Sequence, residues 1–171
     1  MPNTFELIQA YTVGSGGQSS IDFNTIPSTY TDLCFKISVR ITRSGYVGDI
    51  LNISFNGAST SESSRRIEGA GSGSATSASN ALLLAYQGST TDATASTFGN
   101  GELYIPNYAG STNKSASNDG VSENNGTTAY AGLTANLWSS TAAINQVTFT
   151  PDGGSNFVQY STIYCYGVKN A

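Results

Sequence analysis

The sequence predicts an all-β protein that folds as a single-domain antiparallel β-sandwich, and most specifically as an eight-stranded jelly roll. Apolar and polar residues alternate with a period of two in nearly every patterned segment, as they do along half-buried strands. Gly, Ser, Thr and Asn join these segments, and no segment repeats its apolar residues at the three-four spacing of an amphipathic helix. The 171 residues suit one domain spanning 1–171. An immunoglobulin-like sandwich is the second architecture that fits.

The patterned segments follow one another at the spacing of a sandwich or barrel, which favours about eight strands. The clearest covers 33–41, where every second residue from Leu33 is apolar and the residues between are mostly polar. Residues 50–55 alternate in the same way, and Asn56-Gly57 closes that segment as a turn. Strand signals occur in order at 5–13, 20–23, 33–41, 50–55, 81–86, 102–105, 115–121, 130–138, 144–150 and 157–168.

Other segments carry weaker or interrupted signals. The Gly/Ser/Ala stretch at 69–80 has almost no large side chain, and it predicts a long flexible loop. Residues 81–86 fit either a strand or a short helix. Pro106 stops one strand, because proline cannot donate to a ladder, and the Pro-Asp-Gly-Gly sequence at 151–154 is a strong turn signal.

Composition excludes several classes of function. The chain contains no histidine, so the commonest proton-transfer group and metal ligand is absent. A net charge of −4 gives no basic surface for nucleic acid. No stretch approaches the roughly 20 apolar residues of a membrane helix, and the N-terminus lacks the pattern of a signal peptide. We therefore expect synthesis in a cytoplasm, with no membrane and no nucleic acid as partner.

The two cysteines, Cys34 and Cys165, both fall in predicted strands. Free buried thiols are favoured for such positions. A disulfide stays open as an alternative, and it would require strands near the two ends of the chain to be neighbours.

Catalytic and metal-binding patterns are weak. The eleven carboxylates are spread along the chain, mostly in predicted turns, and no spacing brings two together on one strand face. The oxygen-rich stretch at 118–125 could hold Ca²⁺, but it lacks the regular spacing of a calcium loop, so a plain polar loop is favoured. Without histidine, only a lysine could activate a serine nucleophile. The sequence predicts no catalytic residue, no metal ligand and no cofactor.

Two features suggest a surface for partners. Tyr160, Tyr164 and Tyr166 share one face of the last predicted strand, which could pack across strands, form an oligomer contact or stack on sugars. Packing or an oligomer contact is the favoured interpretation. The only adjacent basic pair, Arg65-Arg66, could reach an acidic partner, although charge that protects an exposed strand edge is the commoner meaning.

Several short stretches form a distinctive set. They are FELI at 5–8, YTVGSGG at 11–17, IDFNTIPSTYTDL at 21–33, YIPNYAG at 104–110, NKS at 113–115, LWSSTAAI at 137–144 and QYST at 159–162. Together they resemble a group of small virion proteins of tailed bacteriophages. The resemblance covers most of the chain and thins over 45–100.

The resemblance implies a jelly-roll or β-sandwich structural protein of the virus particle. Such proteins commonly decorate the capsid as trimers or form parts of head or tail fibres, and the group supplies no catalytic residue. We therefore expect a non-enzymatic virion protein, a capsid decoration or cement protein that forms a homo-oligomer, with a trimer favoured, and clamps neighbouring capsid subunits. Its partners would be the major capsid protein or other virion proteins. An adhesion or glycan-binding module of a fibre is the second expectation, and a glycan hydrolase built on carboxylates the third.

Overall fold

Twelve β-strands make up the fold, in a computed structural model that describes residues 4–71, 75–80, 83–125 and 128–169. The only helical element among these residues is a single 3₁₀ turn at Asp152–Gly154, which confirms the expected lack of helix. The strands are β1 (Phe5–Thr12), β2 (Ile21–Phe23), β3 (Asp32–Val39), β4 (Gly48–Phe55), β5 (Glu62–Gly69), β6 (Ala75–Asn80), β7 (Leu83–Ser89), β8 (Gly99–Ile105), β9 (Lys114–Glu123), β10 (Ala129–Trp138), β11 (Val147–Pro151) and β12 (Thr162–Val168).

The strands form two antiparallel sheets, which confirms the predicted β-sandwich. The larger sheet has eight strands in the order β1-β12-β3-β8-β9-β10-β5-β6, and the smaller has four in the order β2-β11-β4-β7. Four of the pairings, β1·β12, β2·β11, β3·β8 and β4·β7, join an early strand to a late one. The chain therefore runs as a two-stranded ribbon that is rolled up on itself, which is the arrangement of a jelly roll.

Four strands are additional to this ribbon, so the strand number is twelve rather than about eight. The β5–β6 pair is inserted between β4 and β7, and the β9–β10 pair is inserted between β8 and β11. Both pairs extend the larger sheet beyond β8, because β9 binds β8 and β10 binds β5. β7 of the smaller sheet packs against β8, β9 and β10.

The core lies between the two sheets and follows the predicted alternation. Every second side chain of β3 from Leu33 is buried, and the same holds for β4 from Leu51. At the centre, the ring of Phe35 packs edge-on against Phe23 and Phe149, with ring centroids 5.3 and 5.4 Å away. Offset and edge-on aromatic pairs of this kind add stability beyond the area that they bury.

Two expectations about local structure are wrong. The segment at 69–80 is not one long loop, because residues 75–80 form β6 and bind the backbone of β5. The last strand starts at Thr162 rather than at residue 157, since Tyr160 adopts a φ of 74° in a turn that precedes it.

Both cysteines are free and buried, as favoured from the sequence. β3 and β12 are neighbours, but Cys34 pairs with Tyr166 and Cys165 pairs with Phe35. The two thiols therefore point to opposite faces of the sheet, where no disulfide can form. Burial raises the pKa of each thiol to about 12, which keeps them protonated and unreactive.

Gly167 lies under the ring of Tyr30, and this contact leaves no space for a side chain. A Cβ atom at Gly167 would lie 2.3 Å from Cγ of Tyr30. We expect Gly167→Ala to lower the free energy of unfolding by about 2 kcal/mol, because the ring must move out of its packed position. Urea unfolding checks this, with Gly14→Ala as the control, since a Cβ at Gly14 meets nothing within 4 Å. Equal losses in the two variants would contradict the expectation.

Candidate functional site

The outer face of the larger sheet carries most of the exposed apolar side chains of the protein. Strand register places residues from six neighbouring strands in one row across this face. From β12 to β5 the row reads Tyr164, Lys36, Glu102, Asp119, Leu133 and Ile67. The row therefore passes from an aromatic end through charged residues to an aliphatic end.

The aromatic end lies on β1 and β12. Phe5, Leu7 and Tyr164 are exposed by 50%, 52% and 40%. The ring of Tyr166 lies 6.4 Å from that of Phe5 and 6.3 Å from that of Tyr164. These four side chains form a continuous apolar area on the surface.

The candidate residues named from the sequence are only partly brought together. Tyr164 and Tyr166 share one face of β12, and that face is the outer one. Tyr160, which was expected to share it, is 68% exposed in the turn before β12 and is not part of that face. Arg65 points outward, but Arg66 points inward and forms an ion pair with Glu68 at 3.0 Å. Adjacent residues of a strand must face opposite sides, so these two arginines cannot act as one basic patch. β5 is also not a sheet edge, because β6 binds its far side.

The charged centre of the face is only partly balanced within the molecule. Glu102 and Asp119 are directly opposite each other on β8 and β9, an arrangement that repels. Lys36 on β3 forms an ion pair with Glu102 and offsets this repulsion. The hydrogen bond to Glu102 raises the pKa of Lys36, so the ammonium stays charged.

The aliphatic end has an inverted pattern, with apolar side chains outside and polar side chains inside. We call the outward side of these three strands the β9–β10–β5 face. Ile67 and Leu133 are cross-strand partners exposed by 55% and 51%, while Val121 and Leu137 are exposed by 43% and 39%. Thr134 and Asn136, which alternate with the leucines on β10, are almost fully buried.

The buried polar residues beneath this face form hydrogen bonds with the neighbouring strands β7 and β8. Asn136 accepts a hydrogen bond from the backbone N–H of Leu84 at 2.8 Å and donates one to its carbonyl oxygen at 3.0 Å. Asn118 donates to the carbonyl oxygen of Glu102, and the hydroxyls of Ser122 and Ser89 lie 3.0 Å apart. The inward positions of β9 and β10 must therefore be polar in order to bind β7 and β8. The apolar residues of β9 and β10 are left on the outward side.

The β9–β10–β5 face is uneven, because small residues separate the large ones. On β10, Leu133 and Leu137 alternate with Ala131 and Ala135. One open hollow of about 320 Å³ lies over Ala131 and Gly69, and another of about 300 Å³ lies over Ala135. The surface therefore presents both protruding aliphatic side chains and spaces that could receive them.

Two carboxylates do approach each other, although the sequence did not show it. Nη1 of Arg43 lies 2.7 Å from Oδ2 of Asp49 and 2.7 Å from Oδ2 of Asp152. Asp152 also accepts a hydrogen bond from the amide of Asn52 at 3.4 Å. The guanidinium occupies the space between the two carboxylates, so this is an ion-pair cluster rather than an open acid and base pair.

The stretch at 118–125 does not form the loop that was favoured, because its first six residues belong to β9. Asn118 is buried and Asp119 is exposed on the opposite face, so their oxygens cannot converge on one ion. Across the residues that the structure describes, no three His, Cys, Asp or Glu side chains form a group that could hold a metal. The same part of the chain contains no helix long and apolar enough to cross a membrane.

Glu62 is a buried carboxylate that the sequence did not single out. It is 8% exposed at the start of β5, and its Oε1 has no hydrogen-bond partner. Burial raises its pKa to about 7, against the opposing effect of a hydrogen bond from the backbone of Leu83. No other described acid has so large a shift toward neutral pH, and we use it below as a stability probe.

The architecture defines the class of protein as an all-β jelly-roll sandwich with two inserted strand pairs. Comparisons with models of protein families, with curated proteins and with solved structures found no match.

Proposed function

We propose that this protein is a structural component of a tailed-phage virion that decorates the capsid and clamps neighbouring capsid subunits without catalysing a reaction. The observation that carries the proposal is the exposed apolar β9–β10–β5 face on a sandwich whose core is otherwise closed. Monomeric proteins seldom expose contiguous aliphatic residues of this kind, and such patches usually mark contact surfaces.

The rest of the surface agrees with a role in assembly. Short polar and charged residues occupy the outward positions beside the apolar ones, among them Ser115, Ser117 and Asp119, and such residues suit a wet, hydrogen-bonded rim. The major capsid protein or another virion protein would be the partner. A homo-oligomer belongs to the same proposal, and a trimer is what the resemblance to virion proteins favours.

The test is cryo-electron microscopy of the phage particle whose genome encodes this chain. Decoration predicts density for the jelly roll at every equivalent local three-fold or hexamer position. Removing the protein is then expected to lower the temperature at which the capsid opens. A few copies confined to the tail or to one vertex would contradict the proposal.

The aromatic end of the outer face favours a second candidate, a glycan-binding module of a fibre. Exposed Phe5 and Tyr164 flank Tyr166, and aromatic faces can stack on sugars. Glycan-array binding that is lost in Tyr164→Ala and retained in Tyr160→Ala would support this candidate. Absence of binding to cell-surface glycans of the host would count against it.

A further inference from the structure

We propose that the β9–β10–β5 face binds the same face of a second copy of this chain, with a two-fold axis lying in the contact plane. The inference rests on the homo-oligomer that the proposed function assumes, but it names a surface that closes at two copies, so it predicts a dimer in place of the trimer that the resemblance favours. The aromatic end on β1 and β12, which the sequence favoured, is left free for other partners.

The inverted pattern is the first argument. On β10, the apolar residues Leu133 and Leu137 face outward and are exposed. The polar residues Thr134 and Asn136 face inward and are buried. Ile67 lies directly beside Leu133 on the next strand. A sheet face with this composition gains free energy when it is covered, because apolar area leaves water.

Shape is the second argument. Protruding Leu133 and Leu137 alternate with the hollows over Ala131 and Ala135, which have volumes of about 320 and 300 Å³. In a face-to-face two-fold contact, Leu133 and Ile67 of the second copy lie over these hollows, so that aliphatic side chains of one sheet enter the spaces of the other.

Charge is the third argument, and it distinguishes a second copy from an unspecified apolar partner. Arg65 and Asp119 are exposed on opposite sides of β10, and neither has an ion-pair partner among the described residues. Strand spacing places them about 10 Å apart across the strands and about 7 Å apart along them. Consider a two-fold axis that lies in the contact plane and crosses the line from Arg65 to Asp119 at right angles through its midpoint. Rotation about this axis brings each Arg65 onto Asp119 of the second copy. The same rotation sets Leu133 near Ile67 of the second copy, which makes the patch self-complementary.

The extent of the face sets the expected affinity. About a dozen outward positions on three strands cover roughly 400 Å² of the sheet plane. A standard interface buries about 800 Å² per partner. The dimer is therefore expected to be weak, so that its population depends on protein concentration. A two-fold contact closes at two copies, so a trimer would need a different surface.

The experiment measures the mass of the purified full chain by sedimentation velocity over a micromolar concentration series. The expected result is an equilibrium between the 17.7 kDa chain and a species of twice that mass. Leu133→Lys is expected to raise the dissociation constant at least about tenfold, the effect of losing one apolar side chain from a contact. Leu7→Lys is the matched control, because Leu7 is equally exposed at 52% on the same sheet but lies at its aromatic end. Thermal melting of both variants establishes that each is folded.

A charge exchange tests the two-fold arrangement itself. Arg65→Glu and Asp119→Arg are each expected to weaken the dimer, and the double variant is expected to restore it, because the pair re-forms between copies with reversed sign. A chain that stays monomeric, a dimer more sensitive to Leu7→Lys than to Leu133→Lys, or a trimer mass would overturn the inference. Since all of this uses the purified chain, the outcome is independent of whether the virus particle carries the protein as decoration.

Discussion

Replacing Arg40 with methionine is expected to lower the free energy of unfolding by roughly 4 kcal/mol, the largest effect among the substitutions considered. Arg40 follows β3 and is only 9% exposed. Its guanidinium donates to the carbonyl oxygens of Thr94 and Thr97 at 2.9 Å and of Ala93 at 3.1 Å, with a longer bond to Thr91. A single side chain thus donates hydrogen bonds to four backbone carbonyl oxygens of the loop at 90–98, which joins β7 to β8.

We expect the loop at 90–98 to open under conditions in which the rest of the protein stays folded. Methionine leaves these carbonyl oxygens without donors, so the loop must open to water to recover hydrogen bonds. Amide hydrogen exchange is expected to accelerate in the loop at 90–98, and urea unfolding gives the total loss. The stability of Arg40→Lys should lie between that of the wild type and that of Arg40→Met, because an ammonium cannot reach all the carbonyls that the planar guanidinium spans. Lys36→Met is the control and should cost less than about 1 kcal/mol, since its ion pair is on the surface. Equal losses for Arg40→Met and Lys36→Met would show that the loop does not depend on Arg40.

Compared with the wild type, Glu62→Gln is expected to gain about 3 kcal/mol in free energy of unfolding between pH 4 and pH 8. The pKa of Glu62 is about 7 in the folded protein, against an ordinary value of 4.5. Between these two values the folded state holds a proton that the unfolded state has released. Stability from this group is therefore full below the ordinary value, falls as pH rises through the window, and is lost above the folded pKa.

The measurement compares urea unfolding of the wild type and Glu62→Gln at several pH values. A constant cost or gain from the amide cancels in the comparison, so only the change with pH carries the result. Ser117→Ala, at an exposed position of β9, is the control and should show a flat difference, because it changes no titratable group. A flat difference for Glu62→Gln would mean that its carboxyl is solvated in the folded protein.

The sequence predicts the strands of the rolled ribbon together with β9 and β10, but it misses β5 and β6, for a physical reason. β3 and β4 bury every second side chain between two sheets, so alternation of apolar residues identifies them directly. β5 and β6 are held largely by backbone hydrogen bonds to neighbouring strands, which leave little trace in side-chain composition. The Gly/Ser/Ala stretch was therefore interpreted as a loop, although part of it forms β6.

The candidate surface was harder to predict for a related reason. The tyrosines of β12 stand out because they are aromatic and alternate, whereas Leu133 and Ile67 are far apart in the chain and become neighbours only through strand register. The available signal was the order of residues on β10, where leucine alternates with threonine and asparagine. Which of the two sets faces outward depends on the polar attachment of Asn136 to β7, and no local pattern reveals that contact.

The position of the two inserted strand pairs has a consequence for how this protein can diverge. Among the described side chains of β5, β6, β9 and β10, only Ala116 and Trp138 enter the hydrophobic core. The rolled ribbon closes through pairings in which these four strands take no part. Substitutions on the β9–β10–β5 face, and changes in the length of its connecting turns, can therefore accumulate without disturbing the packed centre. The architecture therefore separates a packed scaffold, which fixes the fold, from an outer strand layer whose surface can change while the core stays intact.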